Sequence, residues 1–385
     1  MDGFRFDLAS ILGRNEDGSP MSQPPLLQSL AFDPILGNVK LIAEAWNAGG
    51  LYQVGSFPSR RRWAEWNGRY RDDMWRFLKG DDGLHETALK RIFGSPDLYN
   101  PQYRGGGNAS VNFLTCHDGF TLCDLYSYNQ KHNEANGWNN TDGCDDNHSW
   151  NCGEEGETSN PEILRLRLKT MQNACALLMC SRGTPMFLSG DEFADTRFGN
   201  NNPYCQDNEI SWLDWSLLSK NQALFAFFQY MIAFRKQHSS IRRDLEPSYT
   251  SYPSMSSHRL TPEPPVPSSD SHTACVIFSG FDEKTGQEDL VFLAVNAHWI
   301  ANNLCSHPFQ TVMSGRLQSI PGTCCIRHFR ERYADCRTDC FAGRAICYRI
   351  CRHETSRDSL SMRLSLPGFI LNFNLPLQRL LLLYP

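Results

Sequence analysis

The sequence predicts an α/β fold built of parallel βα units, in the manner of a (β/α)8 barrel, with a smaller all-β region after it. Three observations carry this. Short apolar runs alternate with helical patterns in the first 240 or so residues. Those runs end in polar, charged or glycine residues. The alternation then stops near Arg242, where a Ser/Pro-rich stretch precedes two strand-like runs. Strands alternating with helices imply a parallel sheet. Reactive groups of a (β/α)8 barrel gather at the C-terminal ends of its strands.

The first run is Gly3–Asp7 and the second Val39–Glu44; a weaker one surrounds Trp66 to Tyr70. Val111–Asp118 and Pro185–Asp191 follow. The clearest helix is expected over Pro161–Met179, with Ile163, Leu164, Leu168 and Met171 at helical spacing and a basic face. Ser127–Asn160 is rich in Asn, Gly, Asp and Trp, too polar for a core, and reads as a long functional loop. Ser248–Ser271 reads as a linker or large loop, and Ala274–Ser279 and Asp289–Asn296 as strands. The expected domains are a partial catalytic barrel over 1–245, a linker and the start of a C-terminal β-domain over 246–300, and an atypical tail over 301–385.

The tail differs in kind. It holds eleven Arg, no Lys and seven of the fifteen Cys. We expect it to derive from a shifted reading frame. Cys336, Cys340, Cys347, Cys351 and His353 loosely match zinc-ligand spacing, but the flanking sequence lacks turn chemistry and apolar order, so no metal is expected.

Bulk properties exclude several classes. With 385 residues and a formal charge of −5, the chain has no basic stripe suited to nucleic acid. It has no run of ~18 apolar residues to span a membrane. Asp2 and Asp7 argue against a signal peptide. Cysteines such as Cys175, Cys180 and Cys275 stand beside apolar residues, as reduced buried thiols do, which points to a cytoplasmic location. The sequons at Asn108, Asn139 and Asn147 are read as chance.

The chemistry rests on acids at strand ends. Glycoside hydrolysis needs two carboxyl groups flanking the scissile bond, ~5–5.5 Å apart in a retaining mechanism. Asp7, Glu44 and Asp118 all end apolar runs. Arg5 lies two residues before Asp7 and so points the same way from a strand. Trp46 lies near Glu44, where it would help desolvate a general acid. Each acid alone reads better as a loop cap or surface charge, and His117 alone as structural; the joint arrangement carries the signal.

At these residues a resemblance becomes specific. Asp2-Gly-Phe-Arg-Phe-Asp7, Ile42-Ala-Glu44-Ala-Trp and Phe113-Leu-Thr-Cys-His117-Asp118-Gly resemble the second, third and fourth signature segments of the α-amylase superfamily, in order. The segments Trp63–Asp72, Asn147–Gly156 and Gly190–Asn202 resemble isoamylases and bacterial glycogen debranching proteins more than ordinary α-amylases. The resemblance covers roughly residues 1–300. It implies that Asp7 is the nucleophile and Glu44 the general acid/base. It makes Asp118 the third carboxylate, and Arg5 and His117 companions at the cleaved glucose. Trp46, Tyr52, Trp138 and Trp150 are candidate stacking rings, and Asp191 and Glu192 read as structural or outer-subsite residues. The implied activity is hydrolysis of α-1,6 branch linkages in glycogen, amylopectin or limit dextrin by a retaining mechanism, with no cofactor. Two alternatives stay open: a non-catalytic α-glucan-binding relative, and an α-1,4-acting or transglycosylating member of the superfamily.

The resemblance also implies that this chain supplies strands four to eight of the barrel. The family's first signature segment, first three barrel strands and N-terminal β-domain are not matched. An N-terminally truncated chain that is inactive or poorly folded in isolation is therefore expected.

Overall fold

A computed structural model describes residues 2–58, 61–249, 252–258 and 272–297, and beyond them only the backbone of short strands. The expectations for the Arg/Cys-rich tail and its zinc-like spacing lie outside the described residues.

Five parallel strands form one sheet: β1 (Gly3–Phe6), β2 (Lys40–Ala43), β3 (Trp63–Asn67), β4 (Ser110–Phe113) and β5 (Thr184–Met186). Their spatial order is β1-β2-β3-β4-β5, the order of the sequence. A doubly wound sheet reverses its order at a switch point, whereas a barrel adds each strand beside the last. The sheet is therefore a half-barrel, and the five strands are those expected.

The strands are shorter than their apolar runs. β4 ends at Phe113, so Cys116–Asp118 lie in the turn beyond it, and β5 ends at Met186. The weak run is corrected: β3 covers Trp63–Asn67, and Tyr70 belongs to the following helix, Gly68–Lys79. Asn67 ends the strand and starts that helix, because its side-chain oxygen accepts the Tyr70 N–H at 2.9 Å.

Alternation along the strands sorts the side chains. Ile42, Ala64, Trp66, Val111, Phe113, Cys116 and Met186 gather on the concave face. Phe6, Leu41, Ala43 and Trp63 point outward, with Ala9, Leu27 and Phe57. The inward parity includes Arg5 of β1 and, one residue past β2, Glu44. β1 and β2 approach so closely that a β-carbon on Gly3 would lie 2.8 Å from that of Lys40.

The expected helix runs from Pro161 to Cys180, capped by Asn160, whose side chain accepts the Glu162 N–H at 3.0 Å. Its first half is amphipathic, although Leu164 turns out exposed. From Thr170 to Cys180 every residue is buried, as a helix clamped between layers must be. The long polar loop 127–160 contains one short 3₁₀ turn, Glu134–Asn136, and is held by side-chain amides.

A second sheet holds three antiparallel neighbours, β6 (Met255–His258), β7 (Thr273–Asp282) and β8 (Gln287–Asn296), with the short strand Leu381–Leu383 parallel to β8 at its edge. β7 and β8 match the expected strands. β6 falls within the stretch expected to be linker, so part of that stretch is sheet. One face of β7 and β8, including Val276, Phe278, Val291 and Leu293, packs into the same core as the helices Gly68–Lys79, Pro161–Cys180 and Gln222–Gln237. Buried His238 joins the layers, its Nδ1 lying 2.7 Å from Asp289 of β8.

Candidate active site

The inward parity of β1 and the end of β2 bring three expected residues into one cluster. Arg5 Nη1 lies 2.7 Å from Asp7 Oδ1 and 3.0 Å from Glu44 Oε1, so one guanidinium bridges both carboxylates. Asp7, Glu44 and His117 have ligating atoms within 4.8 Å of one another. The two carboxyl groups are therefore at a separation suited to a retaining pair. Three such donors could also hold a cation, but the Arg5 guanidinium already stands between the two carboxylates.

The two acids differ in surroundings. Asp7 is exposed and Glu44 is 2% exposed. Burial pushes the Glu44 carboxyl up; the Leu8 N–H and the Arg5 charge pull it down, the Asp7 charge adds to the rise, and the net result is raised. Leu8 carries φ +41°, a left-handed conformation costly for a non-glycine residue. That conformation aims its N–H at Glu44 Oε2, 3.0 Å away, while the Ala9 N–H donates to Glu44 O at 2.9 Å. The turn after the nucleophile candidate thus clasps the acid candidate.

The turn after β4 adds the third carboxylate. His117 Nε2 lies 3.6 Å from Asp118 Oδ2, and both side chains are open to solvent. The His117 ring meets Trp66 edge-on at 5.7 Å, and the Arg5 guanidinium lies over the same Trp66 ring at 4.7 Å. Trp66 therefore touches both companions of the acids. Its signal in the sequence was parity: it follows Ala64 by two on β3, on the side that faces the site.

Among the candidate rings, Trp46 and Tyr52 stack at 6.1 Å with 13° between planes, across an isolated antiparallel bridge. Trp46 also reaches Trp66, at 6.5 Å. Tyr52 leans against Gly68, where a β-carbon would lie 2.5 Å from its hydroxyl. Trp138 is exposed on the long loop. Trp150 is different: it packs against the helical core, and its backbone N–H donates to Leu125 O at 3.0 Å. The structure brings Arg5, Asp7, Glu44, Trp46, Tyr52, His117 and Asp118 together and leaves Trp150 aside.

Asp191 is 1% exposed, in keeping with the structural reading of that residue. Burial pushes its carboxyl up to about 7, against hydrogen bonds from Thr115, Leu122 and Leu188.

No protein-family model matches the chain. Individual proteins do. Isoamylase 3, chloroplastic, of Oryza sativa subsp. japonica is 53% identical over 245 residues, covering 63% of this chain and 31% of the rice protein. The Glycogen operon protein GlgX homolog of Mycobacterium tuberculosis is 51% identical over 245 residues, covering 63% of this chain and 33% of its own length. Isoamylase 1, chloroplastic, of the same rice is 42% identical over 320 residues, covering 77% of this chain and 38% of the relative. The chain is a relative of the isoamylases and GlgX-type proteins. It spans about a third of the length of the curated relatives it matches.

Solved structures agree on the fold. A pullulanase from Bacillus acidopullulyticus superposes with a TM-score of 0.57 at 17% identity, over 99% of this chain and 38% of that one. One from Anoxybacillus sp. LM18-11, complexed with maltotetraose, gives 0.54 at 22% over 79% and 39%. At these identities the likeness speaks for the partial (β/α)8 barrel alone. Among the described residues no helix is long and apolar enough to cross a membrane. The eight described cysteines are free thiols, and Cys175, Cys180 and Cys275 are buried as expected.

Proposed function

We propose that this site is that of a retaining glycosidase acting on α-1,6 branch linkages of glycogen- or amylopectin-type glucans. Asp7 attacks the anomeric carbon, and the protonated Glu44 carboxyl delivers its proton to the leaving oxygen. Glu44, then ionised, takes a proton from the water that releases the glycosyl group. Asp118 and His117 bind sugar hydroxyls beside the reacting carbon, and Trp46 with Tyr52 offers a ring face to a neighbouring glucose. The observation that carries this reading is the Arg5 bridge between an exposed Asp7 and a buried Glu44 of raised pKa: two carboxyls at one site, one open to water and the other desolvated. The names of the relatives, isoamylase and glycogen operon protein, support the linkage and the polymer. The cytoplasmic location and the C-terminal all-β domain begun by β6–β8 belong to the same reading.

The test is incubation of the full chain with pullulan and with glycogen limit dextrin, reading reducing ends and product linkages. Linear chains with intact α-1,4 bonds are expected. Short α-1,4 cleavage products would overturn the linkage, and glucan retention without reducing ends would favour a binding protein.

A further inference from the structure

The turn Thr115–Leu122 carries His117 and Asp118, but its shape is fixed from outside. Thr115 Oγ1 and the Leu122 N–H both donate to Asp191, the latter at 2.9 Å to Oδ1. The Leu188 N–H donates to Oδ2 of the same carboxyl at 3.1 Å. One carboxyl group thus grips both ends of the turn and ties them to the segment after β5. The middle is held from the same segment: Arg197 Nη1 donates to His117 O at 2.9 Å, and Gly119 N–H to Asn201 O at 3.0 Å. Arg197 is itself placed by buried Asp124, which accepts its backbone N–H at 2.8 Å.

A carboxyl group this deep is costly unless its oxygens are satisfied. Three donors on two elements satisfy this one, and two of them, Thr115 and Leu122, set where the turn begins and ends. A neutral side chain of similar size would fill the space but could not draw in all three with equal strength.

We propose that Asp191 is a positioning residue for His117 and Asp118, acting through the turn and never touching the glucan. The proposal rests on the glycosidase reading of the site, and its test separates the two. The variants are Asp191→Asn, which keeps the size, and the pair Thr115→Val and Thr115→Ser, which removes and restores the hydroxyl. The first readout is the NMR signal of the His117 imidazole in the full chain, assigned with His117→Gln. Asp191→Asn and Thr115→Val shift it, Thr115→Ser returns it, and His85, bonded to Thr273 O away from the site, stays put. The second readout is kinetics on pullulan, where kcat falls about tenfold to a hundredfold in the two disruptive variants with KM little changed, since a small misplacement acts on the reacting geometry. Unmoved His117 signals in a folded Asp191→Asn chain would overturn the proposal. Shifted signals in a chain whose wild type cleaves no glucan would uphold it and refute the glycosidase reading. If Asp191→Asn does not fold, the Thr115 pair decides by the same signals.

Discussion

The Arg5 guanidinium lies 4.7 Å from the centroid of the Trp66 ring. The ring face attracts the cation by ~0.5–2 kcal/mol and limits where the guanidinium can go, and that guanidinium bridges Asp7 and Glu44. Trp66→Leu removes the face. We expect kcat/KM on pullulan to fall about tenfold, in line with a lost cation–π contact. Thermal stability should also drop, because Trp66 is mostly buried and shrinking a buried aromatic costs up to ~3–5 kcal/mol. Trp66→Phe, which keeps a ring, should recover most of both. Melting curves and steady-state kinetics of the two variants check this.

Glu44 must carry a proton to act as the acid. Its carboxyl is raised, first by burial. Activity should therefore persist above the ordinary carboxylate range and fall as pH rises through the Glu44 pKa. Glu44→Gln should cost about 10²–10⁴-fold in kcat and abolish that alkaline limb. A substrate with a good leaving group, which needs no acid, should recover part of the loss in the first step. A pH–rate profile with both substrates decides it.

Glu65 is a buried carboxyl away from the site, 1% exposed, accepting from Gly55 N–H at 2.7 Å. Burial pushes it up to about 7 from 4.5, against that hydrogen bond, the Arg104 charge and the Tyr99 hydroxyl. A folded-state pKa above the unfolded value means the folded chain binds the extra proton. The stabilisation is full below about pH 4.5 and is lost as pH rises through 7. Glu65→Gln keeps an acceptor for Gly55 and carries no charge to bury. It should be more stable than wild type at pH 8, by up to ~3 kcal/mol, and its urea midpoint should vary less between pH 5 and pH 8.

The joint between helix and second sheet titrates the other way. Burial raises the Asp289 carboxyl, but the His238 hydrogen bond and charge and the Ser240 N–H outweigh it and hold it below the usual range. Its contribution is present above the unfolded carboxylate pKa of ~3.9 and is lost as pH falls through the lower folded value. Asp289→Ala should cost about 2–3 kcal/mol, as for hydrogen bonds to a charged group. Urea unfolding at pH 7 against pH 3 measures it: the difference between variant and wild type should shrink in acid.

Strand parity was legible because each run is short and ends in a residue unlike the rest; Arg5, Asp7 and Glu44 fall where period two puts them. The turn carrying His117 and Asp118 was legible as chemistry but not as strand, since apolar residues such as Leu114 and Cys116 continue past Phe113 into a buried turn. Trp150 was not placed by the sequence, because an aromatic ring in a polar loop reads the same whether it faces the site or packs on the core. Glu65 and Asp191 could not be seen as buried: a carboxylate in one sequence reads as surface until its donors, contributed by residues such as Gly55 and Thr115, are in place. Tyr70 was drawn into a strand because the Asn67 cap that ends β3 looks locally like one more polar position.

The neighbour-by-neighbour order of the five parallel strands has a consequence in time. Of these five strands β1 leaves the ribosome before the others, and each later one of them finds its neighbour already made. Asp7 and Glu44 meet as soon as β2 docks. His117 and Asp118 arrive with β4, but Asp191 follows Leu122 by 69 residues. Birth order thus leaves the turn of His117 and Asp118 unset until the segment after β5 has been synthesised, and an arrested nascent chain would hold Asp7 and Glu44 together while Asp118 still wanders.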